Sequence, residues 1–161
     1  AMENLIGEFY DRERRKKNFI LFGHPEINQE NNTGGGLEIA NSVISTLCPE
    51  YPIRNLNIKA FRLGKCSAGK SRPLKVVCDS GDIVLKLLRN SKNLKSHQNL
   101  KHLSVSSDKT PKQIQEHQNL KQQLNDRLKA GETNIIIKHV LGQPKIVSTK
   151  QTNSTNTDSL N

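Results

Sequence analysis

The feature that most constrains the fold of this chain is a set of four short strand-like runs separated by two helical segments. The first run, Asn18 to Gly23 (NFILFG), is apolar throughout and is soon followed by Pro25, a pattern typical of a central strand. The other runs are Ile53 to Leu63, Leu74 to Cys78 and Leu103 to Ser106. The sequence therefore predicts four strands.

Two amphipathic segments lie between these runs and predict helices. Leu37 to Cys48 has apolar residues at positions 37, 40, 43, 44 and 47 and is ended by Pro49. Ser80 predicts the N-cap of a second helix with one apolar face. The order strand, helix, strand, strand, helix, strand predicts an α+β fold of the split βαβ (βαββαβ) type, with both helices on one face of an antiparallel sheet. The other face is expected to be open to a ligand.

A second, smaller unit is predicted after Asp108. Thr110 as N-cap and Pro111 at the first helical position announce a helix, which Gly131 ends. The β-branched runs Asn134 to Val140 and Lys145 to Thr149 then predict a hairpin. The resulting organisation is a helix end with a basic arm over 1–17, a βαββαβ domain over 18–107, a C-terminal helix and hairpin domain over 108–150, and a disordered tail over 151–161.

Basic residues are concentrated in the middle of the chain. The 161 residues include 25 Lys plus Arg and 15 Asp plus Glu, for a formal charge of +10. Residues 54–129 carry 17 basic and 5 acidic side chains, whereas residues 1–53 carry 5 and 8. Such clustered cations favour a phosphate backbone as the partner, because each contact releases condensed counterions. A merely solvated basic surface is the alternative.

The cysteine and histidine patterns indicate neither a metal site nor a catalytic centre. Cys48, Cys66 and Cys78 are an odd number without a CxxC pair, which argues against a disulfide framework or a zinc module. The five histidines lack the Ser or Cys elbow of a catalytic triad. We therefore expect no catalytic residue, no metal and no cofactor. No apolar run approaches the roughly 20 residues of a membrane helix, so we expect an intracellular protein with no membrane partner.

Gly64 to Ser71 (GKCSAGKS) matches the phosphate loop of nucleotide triphosphatases, in which Lys70 would reach the terminal phosphate. That chemistry needs a helix that begins at the final Gly-Lys-Ser, so that the helix N-terminus faces the phosphates. Arg72 to Val77 instead predicts a strand. We interpret the segment as a basic loop that binds a nucleic-acid backbone, and a nucleotide triphosphatase remains the alternative.

Five short motifs follow one another between about Arg12 and Lys150. They are RRKKNFI leading into GHPE (Arg14 to Glu26), RLGK (Arg62 to Lys65), RPLKV (Arg72 to Val76), DKTP (Asp108 to Pro111), and Arg127 with Gly131-Glu132. In this order they resemble the RNA-binding first-open-reading-frame proteins of non-LTR (LINE-type) retrotransposons, insect-like elements in particular, and the related baculovirus few-polyhedra proteins.

The resemblance implies a domain like an RNA recognition motif, with the helix and hairpin unit beside it. It also implies single-stranded RNA binding, with single-stranded DNA as a second ligand, and nucleic-acid chaperone activity without catalysis. The basic residues that would contact RNA are Arg14, Arg15, Lys16, Lys17, Arg62, Lys65, Lys70, Arg72, Lys75, Lys109 and Arg127. Arg62 and Arg72 flank the loop and are the leading candidates.

The resemblance further implies a homotrimer formed through an upstream coiled coil. The opening Ala1-Met2 is typical of a cloning remnant, so we expect the natural protein to extend upstream. The retrotransposon reverse transcriptase is a second candidate partner, and a cytoplasmic ribonucleoprotein, with the nucleus as the alternative, is the expected location. A protein-interaction scaffold with an open sheet face is the remaining alternative function.

This sequence departs from a standard RNA recognition motif in its third strand. Pro73, Lys75 and Val77 stand where aromatic stacking residues are usual, which leaves Ile20 and Phe22 on the first strand as apolar contacts. We therefore expect weak base stacking, binding through phosphates, little sequence preference and a strong salt dependence.

Overall fold

The chain is divided into two units, Ala1–Thr110 and Pro111–Asn161. The structure is a computed structural model that describes residues 1–26 and 35–149. Residues 27–34 and 150–161, which include the whole predicted disordered tail over 151–161, lie outside the described residues. Within the described ranges, no helix is both long enough and apolar enough to cross a membrane.

The first unit is built on a four-stranded antiparallel sheet. Its elements are α1 (Met2–Arg15), β1 (Asn18–Phe22), α2 (Gly35–Leu47), β2 (Lys59–Arg62), β3 (Leu74–Val77), α3 (Gly81–Arg89) and β4 (Ser104–Ser107), with two 3-10 helices, Ile53–Asn55 and Ser91–Ser96. The strands pair in the order β2-β3-β1-β4, and every neighbouring pair is antiparallel. The predicted α+β class, with a four-stranded antiparallel sheet and helices, is confirmed.

One face of the sheet packs on the hydrophobic core. Phe19 and Leu21 of β1 and Val76 of β3 have no exposed surface, and they belong to the same cluster as the apolar sides of α2 and α3. The members contributed by the two helices are Ala40, Val43, Ile44, Leu47, Ile83, Val84 and Leu87. Because side chains alternate along a strand, the neighbours of these residues, such as Ile20 on β1 and Lys75 on β3, lie on the opposite face of the sheet.

Helix α3 begins where the sequence predicts. The hydroxyl of Ser80 accepts a hydrogen bond from the backbone N–H of Asp82 at 3.1 Å. Asp82 in the first turn and Arg89 in the last turn also interact favourably with the helix dipole. The cap and the dipole therefore fix the start of α3 locally, and burial of its apolar face attaches it to the sheet.

The second strand is shorter than the sequence suggests. Of the predicted extended segment Ile53 to Leu63, residues Ile53–Asn55 form a 3-10 helix and only Lys59–Arg62 form a strand. Ile53 and Ile58 pack against the core from outside the strand. The prediction of one long strand was wrong because burial of these side chains, and not ladder pairing, sets the path of the chain after Pro52.

Gly23 ends β1 with a backbone that other residues rarely adopt. Its φ is +90°, and a Cβ at this position would lie 2.6 Å from the carbonyl oxygen of His102. That approach is closer than any van der Waals contact allows, so a side chain here requires the backbone to move. The glycine therefore permits the sharp turn that carries the chain from β1 toward His24.

The described residues of the second unit form α4 (Pro111–Lys129), β5 (Ile135–Val140) and β6 (Gln143–Ser148). Gly131, at φ +100°, donates to the carbonyl of Leu128, and Glu132 donates to that of Arg127, a Schellman ending of α4. Strands β5 and β6 form the two-stranded antiparallel sheet.

The hairpin turn of the second unit is tighter than predicted. Leu141 and Gly142 alone connect the strands, at φ +51° and +76°, which is the geometry of a two-residue type I′ turn. Strand β6 starts at Gln143 rather than Lys145, and Pro144 pairs with His139. A proline is tolerated there because each strand of a two-stranded sheet has a free edge.

Candidate nucleic-acid interface

The sheet face that points away from the core carries a mixture of cationic, aromatic and hydroxyl side chains. The strand registers place Ile20 of β1 opposite Lys75 of β3, which in turn lies opposite Phe61 of β2. On the other side of β1, Phe22 lies opposite Ser104. We call this surface the second face; its members are Asn18, Ile20, Phe22, Lys59, Phe61, Lys75, Val77, Ser104 and Ser106.

Two aromatic side chains on the second face are open to solvent. Phe22 is 40% exposed and Phe61 is 46% exposed. The ammonium of Lys75 lies 5.9 Å from the centroid of the Phe61 ring, within the range of a cation–π contact. An exposed aromatic next to a cation can take a base by stacking and its phosphate by charge.

Sequence reasoning missed Phe61 and Lys59. The segment around them alternates weakly, and a phenylalanine between Ala60 and Arg62 suggests a core residue. The pairing with β3 instead turns Ala60 toward the core and Phe61 away from it. The aromatic side chain that the third strand lacks is thus present on the neighbouring strand β2.

The basic loop Gly64 to Ser71 is exposed along its whole length. Its base is closed by the hydrogen bond from the backbone N–H of Leu63 to the carbonyl of Pro73, at 2.8 Å. Lys65 and Lys70 are both exposed, and within the described part of the chain neither ammonium has an acidic partner. These two cations can therefore exchange counterions for phosphates without breaking an ion pair among the described residues.

Arg62 and Arg72 hold the loop in place. The Arg62 guanidinium donates to the carbonyls of His24, Pro25 and Arg72, at 2.9, 3.0 and 2.6 Å. Arg72 pairs with Glu26 through Nε and Nη2, which both donate to Oε1, and its Nη1 donates to the carbonyl of Gly64 at 3.1 Å. The hydrogen bonds from Arg72 hold the pKa of Glu26 below its usual value. The two leading candidates for RNA contact thus have internal partners for their guanidinium groups.

The residues that match a phosphate loop do not lead into a helix. Ser67 and Lys70 form an isolated antiparallel bridge, and the fully described stretch from Ser71 onward continues into β3. The Ser71 hydroxyl accepts a hydrogen bond from the backbone N–H of Glu26 at 3.1 Å. A helix N-terminus, which provides most of the phosphate affinity in a triphosphatase, is not placed at Gly69 to Ser71.

Asp108 connects the start of β1, the end of α1 and the second face. One carboxylate oxygen accepts from Arg15 at 2.9 Å, and the other accepts from Asn18 at 2.9 Å and pairs with Lys75 at 3.2 Å. Burial opposes ionisation most strongly, yet the hydrogen bonds from Asn18 and Lys75 and the nearby cations outweigh it, so the pKa of Asp108 is lowered. Two predicted RNA contacts, Arg15 and Lys75, therefore share one internal counter-ion.

The remaining candidate cations are dispersed. Arg14 pairs with Asp11 at 2.8 Å and Lys16 pairs with Glu13 on α1. Arg127 of the second unit pairs with Glu132 at 2.7 Å, across the Schellman ending of α4. Lys17 is exposed, and Lys109 is half-buried, with its carbonyl accepting from Arg15 at 3.2 Å. The structure brings together Arg62, Lys65, Lys70, Arg72 and Lys75 on β2, β3 and the loop between them.

The cysteines are free thiols, two of them buried and one exposed. Cys48 and Cys78 are buried, and Cys66 is exposed in the basic loop. Burial raises the pKa of Cys78 to about 12, so this thiol stays protonated at neutral pH. Among the described residues, no three His, Cys, Asp or Glu side chains converge as a metal site requires.

Replacing Asp108 by Asn is expected to destabilise the protein by about 1–3 kcal/mol at pH 7, because charged hydrogen bonds are lost and Lys75 loses its acidic partner, whereas Arg15 keeps its ion pair with Asp11. The carboxylate stabilises the fold above its unfolded pKa, near 3.8, and this contribution is lost as pH falls through the lower folded pKa. Urea unfolding between about pH 5 and 2 should therefore show a smaller loss of stability in the variant than in the wild type.

A matched control for Asp108→Asn is Glu132→Gln, which breaks an exposed ion pair. That change is expected to leave the stability of the protein nearly unchanged, because solvent screens an exposed ion pair. The pKa of His24 is lowered by burial and by the charges of Arg62 and His102. The folded state therefore favours the neutral imidazole, and the stability of the fold falls as pH falls below the unfolded pKa, near 6.5. An unchanged stability of Asp108→Asn at pH 7 would contradict the structural importance of this carboxylate.

No protein-family model and no curated protein matches this sequence. The second face, the basic loop and the charge distribution are therefore the features that indicate a function.

Proposed function

We propose that this protein is a sequence-tolerant binder of single-stranded RNA and a nucleic-acid chaperone of a retrotransposon-type ribonucleoprotein, with no catalysis of its own. Its first unit would be an RNA-recognition-motif-like βαββαβ domain, and its second unit a small C-terminal helix and hairpin domain. The ribonucleoprotein would be cytoplasmic, and single-stranded DNA would be a second ligand.

The observation that carries the proposal is the second face, where Phe22 and Phe61 are exposed on either side of Lys75. A sheet face that buries its aromatic side chains is part of a core, whereas this one offers two stacking surfaces to solvent. The exposed Lys65 and Lys70 extend the positive charge from the edge strand β2. Aromatic stacking combined with a cationic border is the usual solution for binding a single strand without reading its sequence.

The electrostatics support a ligand contacted mainly through phosphates. Residues 54–129 carry a charge of +12, and only part of it is offset by internal ion pairs such as that of Lys86 with Glu50. No acidic side chain lies on the second face itself, although Asp108 reaches Lys75 from the end of β4. A polyanion would thus meet the cations Lys59 and Lys75 on this surface, and Asp108 would compete with it for Lys75.

Self-association of the full protein through α1 is part of the same proposal. Leu5, Ile6 and Phe9 of α1 are each more than half exposed, at 62%, 51% and 59%. Their spacing of three to four residues gives one apolar side, as in a helix that pairs with copies of itself. A trimer held by a longer helix would place several RNA-binding faces on one particle and raise the affinity for long strands.

Fluorescence anisotropy of labelled RNA tests the proposal. Single-stranded RNA, single-stranded DNA and a duplex are titrated at about 50 and 200 mM salt, with and without Mg-ATP. If about six phosphates are contacted, affinity for single-stranded RNA should fall by about 300-fold between the two salt concentrations. Binding should be indifferent to ATP and to sequence.

The alternative functions give different results in the same titrations. Absence of binding at 50 mM salt would overturn the proposal and favour the protein-interaction scaffold. ATP binding that Lys70→Ala abolishes would favour the nucleotide triphosphatase that uses Gly64 to Ser71. Chaperone activity is measured separately, as faster annealing of complementary strands and faster exchange of a mismatched strand.

Replacing Phe61 or Phe22 by Ala is expected to weaken single-stranded RNA binding by about 5- to 100-fold each, since a base stacked on an aromatic ring contributes about 1–3 kcal/mol. The measurement is anisotropy with a base-bearing strand and with an abasic strand of equal length. Loss of affinity should appear only with the base-bearing strand, because the abasic strand retains all phosphate contacts. Tyr10→Ala, at an exposed aromatic of α1 that is not one of the three apolar residues Leu5, Ile6 and Phe9, is the matched control. Equal loss for both strands would contradict a stacking role.

A further inference from the structure

A second cationic surface lies outside the second face and the basic loop. Residues 83–107 contain no Asp or Glu, and they carry five cations: Lys86, Arg89, Lys92, Lys95 and Lys101. Of these, Lys86 is paired with Glu50. The stretch runs from α3 through the 3-10 helix Ser91–Ser96 to β4, on the opposite edge of the sheet from β2.

The 3-10 geometry aligns two of these lysines. With three residues per turn, side chains at positions i and i+3 are eclipsed, so Lys92 and Lys95 lie on the same side of the helix. Leu94 is buried and fixes the rotation of the helix, which keeps both lysines exposed. The ammonium of Lys95 also donates to the carbonyl of Lys101 at 3.0 Å, which orients its side chain.

An open groove of about 430 Å³ separates this helix from β4. Ser91, Lys92 and Lys95 line one side of it, and Leu103, Ser104 and Val105 line the other. Ser104 also belongs to the second face, where it lies opposite Phe22. The groove and the second face therefore share Ser104, which gives a strand that passes Phe22 and crosses β4 a route into the groove.

We propose that this groove binds phosphodiester groups of the single strand that occupies the second face. The inference rests on the proposed function, because it extends that RNA path past β4. Lys92 and Lys95 provide the positive charge, and the hydroxyls of Ser91 and Ser104 can donate hydrogen bonds to phosphate oxygens. The groove has two cations and no acidic lining residue, so a polyanion fits it by charge.

The test compares short and long RNA with the variant Lys92→Gln/Lys95→Gln. Loss of two phosphate contacts should lower affinity for a strand of about 20 nucleotides by about 10- to 30-fold near 0.1 M salt, and lower the salt slope by about 1.4. A strand of about five nucleotides, which the second face can hold alone, should bind within about 2-fold of the wild type. Both lysines are exposed, so thermal unfolding should be unchanged.

Lys86→Gln/Arg89→Gln is the matched control, because it removes the same charge from the same stretch but from residues outside the groove. For the long strand, this control variant should change the salt slope by less than half of the change expected for the groove variant. If the groove variant binds the long strand like the wild type, or no more weakly than the control, the groove proposal is wrong and RNA binding by the second face stands. If the wild type binds no RNA at 50 mM salt, both proposals are wrong.

Discussion

Replacing Phe19 by Ala is expected to destabilise the first unit by about 3–5 kcal/mol, the cost of removing a large side chain from a closed core. Phe19 has no exposed surface and contacts the cluster formed by α2, α3 and the central strand. The cavity left behind cannot collapse easily, because β1 is paired on both sides, with β3 and β4. Urea unfolding followed by circular dichroism measures the change.

Phe22, three residues further along the same strand, provides the contrast. It lies on the second face and is 40% exposed, so Phe22→Ala should cost no more than about 1 kcal/mol while it weakens RNA binding. If Phe19→Ala fails to fold, Phe19→Leu replaces it, with an expected loss of about 1 kcal/mol. Equal losses of stability for Phe19→Ala and Phe22→Ala would show that the two faces of the sheet are assigned wrongly.

Reversing the charge of both lysines in the basic loop, with Lys65→Glu/Lys70→Glu, is expected to reduce affinity for single-stranded RNA by more than about 100-fold near 0.1 M salt, because two phosphate contacts are replaced by repulsion. Stability should change by less than about 0.5 kcal/mol, because both side chains are exposed. Anisotropy and urea unfolding on the same preparation separate the two effects.

Charge-matched controls make that experiment specific to the loop. Arg54→Glu, at an exposed cation of the 3-10 helix Ile53–Asn55, changes the net charge as much as one loop substitution but should reduce affinity far less than Lys70→Glu alone. Arg72→Glu should instead destabilise the protein, since it places a carboxylate against Glu26. If Arg54→Glu and Lys70→Glu weaken binding equally, only net charge matters and the loop has no special contact.

The structure changes which of the predicted RNA-binding residues are the best targets for mutation. Arg62 and Arg72 were the leading candidates because they flank the loop, and the structure gives each of them several internal acceptors. Their contribution to RNA binding stays a prediction, and the hydrogen bonds that they form join the loop to neighbouring residues. Lys65 and Lys70, which the loop exposes, are the better targets for mutation.

Local signals in the sequence determined much of the fold. The apolar run Asn18 to Gly23 identified a central strand, Ser80 identified the start of α3, and Gly131 identified the end of α4. Each of these features depends on residues within one or two turns or one strand, where spacing alone decides which side is buried and which hydrogen bond is formed.

Tertiary structure decided the rest, because pairing register and ion pairs join residues far apart in the chain. Phe61 faces solvent only because β2 pairs with β3 in the register that sets it opposite Lys75. Asp108 meets Arg15 and Asn18 across 93 and 90 residues, and Arg72 meets Glu26 across 46. Periodicity specifies which residues share a face of one element, but only packing decides which elements meet and which charges neutralise one another.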